Sequence, residues 1–172
     1  MSAVAPFLVM GLKNFQAFHV CSIAVGLVGD IARSIEGKIA PYCTDIMTAL
    51  VESLQNENLH RSVKPPVLSC FGDIAMALEG AFEPYLKVSM MMLMQASQTT
   101  APDDDDELVE FVNQLRECVL EAYTGIIQGL KDANRIDLMA VYIEPMMQFL
   151  QSLSNDENKD LEVLGKAAGL LG

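Results

Sequence analysis

Gly29-Asp30-Ile31-Ala32 recurs as Gly72-Asp73-Ile74-Ala75, 43 residues further along the chain. The same offset carries Glu36-Gly37 onto Glu79-Gly80, Pro41-Tyr42 onto Pro84-Tyr85, and Leu50 onto Leu93. One matched tetrapeptide is weak. Three matched clusters at one offset mark a duplicated unit. A unit of this size cannot bury an apolar face by itself. It must stack on a copy, so that neighbours share one continuous core.

Periodicity says what the unit is made of. Before Glu36 the apolar residues fall at Val20, Ala24, Leu27, Ile31 and Ile35. Their counterparts 43 residues later are Val63, Val67, Cys70, Ile74 and Leu78. Both sets have the three-to-four spacing of a helix face that seeks a core. The preceding helix of the second unit offers Tyr42, Cys43, Ile46, Met47, Leu50 and Leu54, and its copy offers Tyr85, Leu86, Met90, Leu93 and Met94. Turns are expected near Asn14, Gly37–Lys38, Asn56–Asn58 and Gly80. A glycine just past a helix suits the left-handed C-terminal position. Pro41, Pro84 and Pro145 suit first turns, and Pro65-Pro66 require a helix that starts near Val63–Pro65. The period fits HEAT or armadillo hairpins and exceeds ankyrin and tetratricopeptide units.

The expected fold is therefore all-α: an α-α superhelix, a HEAT-repeat solenoid of about four helical hairpins in a single array. The approximate repeats are 1–37, 38–80, 81–131 and 132–172. The third departs from the pattern. Ala101-Pro102 and the acidic run Asp103 to Asp106 interrupt it, and the acids suit the start of a long helix through its dipole. That helix runs to about Leu130, with Leu108, Val112, Leu115, Val119, Ala122 and Ile126 on one face. Gly169-Leu170-Leu171-Gly172 echoes Gly26-Leu27-Val28-Gly29 and stops there without a cap. This predicts a truncated last repeat and a piece cut from a longer chain.

Charge and motifs narrow the function. The net charge is −12, the reverse of what nucleic acid or an anionic membrane attracts; it permits a basic partner, or serves solubility alone. The longest apolar run, Val20 to Val28, ends at Asp30 and is too short to span a bilayer. Cys21, Cys43, Cys70 and Cys118 form no C-x-x-C pair, and His19 and His60 have no suitably spaced partners, so neither metal nor cofactor is expected. Phosphate-loop, dinucleotide, nucleophile-elbow and zinc-protease motifs are all missing, which argues against an enzyme.

Candidate binding residues follow from the acidic balance. Asp30, Glu36, Asp73 and Glu79 occupy repeated positions. They are either acidic contacts on the concave face or, for the two aspartates, acceptors tying neighbouring turns together beside Gly29 and Gly72. Glu110, Glu117 and Glu121 form a polar face on the long helix, either solvated or in contact with a basic helix. Asn14, Asn56 and Asn155 fall in the turns, where asparagine bonds nearby backbone, and a ladder linking repeats is the expected role. Met90 to Met92 and Met94 suit core and groove lining.

The segments "VGLVGDIARSI", "NENLHRSVKPPVLSCFGDIA" and "ECVLEAYTGIIQGLKD" resemble the C-terminal half of importin-β (karyopherin-β) proteins. The resemblance runs from about Pro6 to Gly172 and is most specific over Asn56 to Ala75. It implies nuclear import by a receptor at home in cytoplasm and nucleus. Implied partners are the importin-α adaptor or basic cargo peptides, Phe-Gly nucleoporins, and Ran with GTP at a main site mostly outside this segment. The acidic run matches no motif of the family. A scaffold assembling a multiprotein complex, such as a phosphatase, is the alternative.

Overall fold

The computed structural model describes residues 1, 3–102, 104–156 and 160–171, so Asp103 of the acidic run and Gly172 lie outside the described residues. The helices are α1 (Ala5–Leu12), α2 (Phe18–Ile35), α3 (Ala40–Gln55), α4 (Lys64–Leu78), α5 (Glu83–Ser97), α6 (Asp106–Asp132), α7 (Ile143–Asn155) and α8 (Leu161–Leu171). Among the described residues there is no strand. Consecutive helices pair into four hairpins. The second helices, α2, α4, α6 and α8, pack side by side in that order. The first helices, α1, α3, α5 and α7, form the other layer.

The proline reading holds: Pro41, Pro65 and Pro84 sit in the first two positions of α3, α4 and α5. Asp105 caps α6, its carboxylate accepting from the Leu108 amide at 3.0 Å, and Asp106 and Glu107 follow in the first turn. These acids face the positive end of the helix dipole.

Two expectations need correction. Gly37 and Gly80 do not take the left-handed position. Glu36 (φ 49°, ψ −137°) and Glu79 (φ 48°, ψ −124°) do, each directly after its helix, and no described glycine has positive φ. The backbone reverses one residue earlier than the glycines suggest, since Ile39 and Phe82 must turn fully inward three residues later. The α2 stripe is also misplaced. Val20 and Leu27 are largely exposed, and the buried face is Cys21, Ala24, Val25, Val28, Gly29 and Ala32. The counterparts are buried, Val63 in the turn just before α4 and Cys70 within it, with the Cys70 thiol donating to the Val25 carbonyl of α2 at 3.4 Å. Among the described residues α4 is the one second helix that packs on α2, whereas α4 packs on both α2 and α6, and Val20 and Leu27 stay exposed.

Some of the closest packing is between α4 and α6. A Cβ on Gly125 would stand 2.7 Å from the Gly72 Cα, and one on Gly72 would stand 2.9 Å from the Ala122 Cα. A Cβ on Gly129 would strike the Ala75 carbonyl. Backbone meets backbone, as expected for Gly72. The most apolar window within Phe18–Gln55 has a mean hydropathy of 1.4. That stretch is two helices, broken at the exposed Glu36, Gly37 and Lys38 and packed into the stack.

Gly125→Ala should cost about 2 kcal/mol by forcing α4 and α6 apart. Gly26→Ala, with nothing within 4 Å of its Cβ, should gain about 0.5–1 kcal/mol in helix propensity. Urea unfolding of both variants decides, and a neutral Gly125→Ala sinks the account. Glu79→Gly should raise stability by about 1 kcal/mol, because strain of this kind outweighs the added freedom of the unfolded glycine. A drop would mean that the glutamate side chain holds the joint.

Candidate functional site

The second helices bring most of the predicted acids onto one face, and they arrive paired. On α2, Arg33 donates to Asp30 at 2.8 Å and reaches across to Asp73 of α4 at 2.6 Å. Gly29 makes room for this: a Cβ there would sit 2.6 Å from the Asp73 carboxylate. Asp73 thus ties α4 to α2 through Arg33, while the Asp30 pair stays within α2. Both carboxylates hold the Arg33 guanidinium above its ordinary pKa, mainly through these hydrogen bonds.

On α6, Glu117 and Glu121 stand one turn apart. Lys166 of α8 donates to Glu117 at 3.0 Å and to Glu121 at 2.7 Å. The Ser69 hydroxyl of α4 donates to the other Glu121 oxygen at 3.0 Å. Burial alone would lower the Lys166 pKa. The two carboxylates outweigh it and raise that value above the ordinary lysine range.

Between these two clusters runs a groove of about 560 Å³. Gly72, Gly125 and Gly169 line it, with Met76 and Thr124 on its walls and Arg33, Asp73, Glu121 and Lys166 at its margins. It is continuous across four helices and small-floored because α4 and α6 lie so close. The groove presents shape and charge. Among the described residues no three His, Cys, Asp or Glu side chains gather to hold a metal ion.

The other predicted residues lie elsewhere. Glu36 and Glu79 are exposed at the joints, off the groove. Glu110 is two turns before Glu117 on α6, exposed, and accepts from Gln114 at 3.4 Å. Asn14 accepts from the Ala17 amide at 3.3 Å and Asn56 from the Asn58 amide at 2.8 Å, each within its own turn. Those two bonds stay local, where a ladder between repeats was expected. Asn155 ends α7 and lines a polar cleft of about 750 Å³ with Arg116 and Asp156. Met90 and Met92 are buried, Met94 is half-buried and Met91 is exposed.

Sequence reasoning missed the cations. Arg33 lies three residues after Asp30 on one helix face, which was a legible signal. Lys166 carries none, since only the packing of α8 on α6 brings it to Glu117. A second groove of about 500 Å³ is lined by apolar Leu54, Leu68, Met92, Ala96, Phe111 and Leu115 together with polar Gln55, Lys64, Gln95 and Thr99.

Burial pushes the Cys43 thiol up to about 11, and the Cys70 thiol and Tyr123 phenol up to about 12. The folded state therefore favours their neutral forms. That stability is whole below the unfolded values, near 9 for thiols and 10 for the phenol, and is lost as pH rises through 11 and 12. The urea midpoint should fall over this alkaline range. Tyr123→Phe should make the fall shallower, and an unchanged slope would show that the phenol is no contributor.

A family model described as "Importin subunit beta-1-like, TPR repeats" matches residues 1–172. Importin subunit beta-1 of Arabidopsis thaliana is 45% identical over 168 residues, covering 96% of this chain and 19% of its own length. The Schizosaccharomyces pombe protein of the same name is also 45% identical over 168 residues, with 97% and 20% covered. The chain thus spans about a fifth of these curated relatives. A crystal structure of importin beta superposes with a TM-score of 0.93 at 37% identity, over 99% of this chain and 21% of that one. Kap95p bound to RanGDP gives 0.89, and a Kap95:Nup1 complex gives 0.87, each at 30% identity over 99% of this chain and 20% of theirs.

Proposed function

The chain belongs to the importin-β family, and we propose that it is a stretch of nuclear transport receptor that grips a basic segment on the face built by α2, α4, α6 and α8. That segment is the basic arm of the importin-α adaptor or a basic import signal of cargo. The observation that carries this reading is the groove. Asp73 of α4 and Glu121 of α6 line it beside a floor of glycines, and Asp30 and Glu117 join them through the cations at its margins, Arg33 and Lys166. Such a floor admits a helix or extended strand closely, and the carboxylates above it select Lys and Arg.

Grip here is multivalent. Each contact near the surface is worth little, because water and salt screen it. Several carboxylates spread over a stack of helices add up. No catalytic role enters this reading. The setting is the pore route between cytoplasm and nucleus. Importin membership favours transport over the phosphatase-scaffold alternative.

A second contact is favoured by the apolar part of the other groove, Leu54, Met92 and Phe111, which suits a phenylalanine from a Phe-Gly nucleoporin. The structural relatives solved with Nup1 and with RanGDP support nucleoporins and Ran as partners of the whole receptor.

Titrating this chain with a fluorescein-labelled basic importin-α segment at rising NaCl tests the grip. Affinity should fall steeply with salt. Replacing Glu117 and Glu121 together by Gln should weaken binding by roughly three- to tenfold with little change in melting temperature. An absence of salt-sensitive binding removes the basic-partner reading.

A further inference from the structure

Lys166 does more than join two helices. It comes from α8, crosses to α6, and places one ammonium between two carboxylates, 3.0 Å from Glu117 and 2.7 Å from Glu121. This is the position that a lysine or arginine of a basic partner would need. A carboxylate pair one turn apart on a helix repels itself. A cation between the two relieves that repulsion, whether it belongs to the chain or arrives on a ligand.

The surroundings make an exchange possible. The Lys166 side chain is 33% exposed and the Glu121 side chain 48%, so the pair opens onto the groove. The Glu117 side chain is only 18% exposed and stays seated. Ser69 holds the far oxygen of Glu121, which keeps that carboxylate aimed when its lysine leaves. At the other margin Arg33 stands in the same relation to Asp30 and Asp73.

We infer that Lys166 is a resident competitor: it occupies the Glu117–Glu121 pair in the free protein and must be displaced before a basic side chain of a partner can bind there. This rests on the basic-partner reading above. The ion pairs of Lys166 with Glu117 and Glu121 break, the partner's cation replaces them, and the freed ammonium returns to water. The pair thereby sets a threshold. A single stray cation gains little over Lys166. An arginine, whose flat fork can reach both oxygens of a carboxylate, gains more than a lysine. A partner bearing several cations also wins by linking them.

The test is fluorescence anisotropy of a fluorescein-labelled nona-arginine peptide against the 172-residue chain at low ionic strength. Lys166→Gln and Lys166→Met should each bind roughly three- to tenfold tighter than the parent. Met keeps most of the aliphatic stem, so it guards against a packing defect in the Gln variant. Lys87→Gln, on the outer helix α5, removes the same charge and should gain far less. In a Glu117→Gln/Glu121→Gln background, Lys166→Gln should change nothing. Unchanged or weaker binding by folded Lys166 variants overturns the inference while leaving the basic-partner reading intact. An equal gain in Lys87→Gln also overturns it, because the effect would then be net charge. Collapse of both Lys166 variants on melting would make the lysine a structural clamp. If neither the parent nor the variants bind the peptide, the basic-partner reading falls and the inference falls with it.

Discussion

Where α4 passes α6 the two backbones touch, with Gly72, Gly125 and Gly129 at the crossing and Ala75 and Ala122 beside them. A larger side chain at any of these glycines would push the helices apart. The groove would then widen, and the Ser69 hydroxyl would lose the Glu121 carboxylate it now meets at 3.0 Å. Length matters as well. At about 1.5 Å per residue, the 27 residues of α6 span roughly 40 Å, enough to pack on α4 along one side and α8 along the other. One contact between glycines therefore sets the depth of the site, the aim of its acids and the seat of the fourth hairpin.

Charge behaves differently on this face than composition suggests. The chain carries 23 acids against 11 Lys and Arg, an excess whose field attracts cations from a distance. On the groove itself, Arg33 faces two acids and Lys166 faces two acids, so each cluster is one charge short of balance. Steering is long-ranged and belongs to the whole molecule. Grip is local and depends on which cation holds each carboxylate. A surface can thus attract basic segments broadly and still bind only those able to displace what is already there.

The hairpins were legible because stacking forces repetition. A core shared between copies demands the same residue types at the same offset, as at Ile39 and Phe82 or Leu50 and Leu93. Prolines read well for a local reason, since Pro41, Pro65 and Pro84 fit only at helix starts. The α2 face read poorly because periodicity reports what a position can bury, not whether a neighbour is there to bury it. Val20 and Leu27 carry the pattern of Val63 and Cys70 without their packing. Acidic positions of the site were visible in Asp30, Asp73, Glu117 and Glu121. Their cations were half visible. Arg33 shares a helix with Asp30, while Lys166 meets Glu117 across 49 residues of sequence, a distance no spacing rule spans.

The joints explain how regular the array is. Glu36 and Glu79 adopt nearly the same unfavourable backbone angles at equivalent positions, each followed by a 3₁₀ turn that ends in a buried residue, Ile39 or Phe82. Glutamate has no preference for that conformation, so the surrounding packing imposes it. Burial of Ile39 and Phe82 is the force available, and it acts alike at both joints. The first three hairpins are therefore related by the same turn. The third joint is built otherwise, with positive φ at Asn134, a residue that tolerates it, and a seven-residue 3₁₀ turn over Ile136–Tyr142. Arg33 joins α2 to α4, on either side of a joint of the first kind, and Lys166 joins α6 to α8, on either side of the other kind. Of the two resident cations, Lys166 thus ties together the second helices whose joint departs from the repeat.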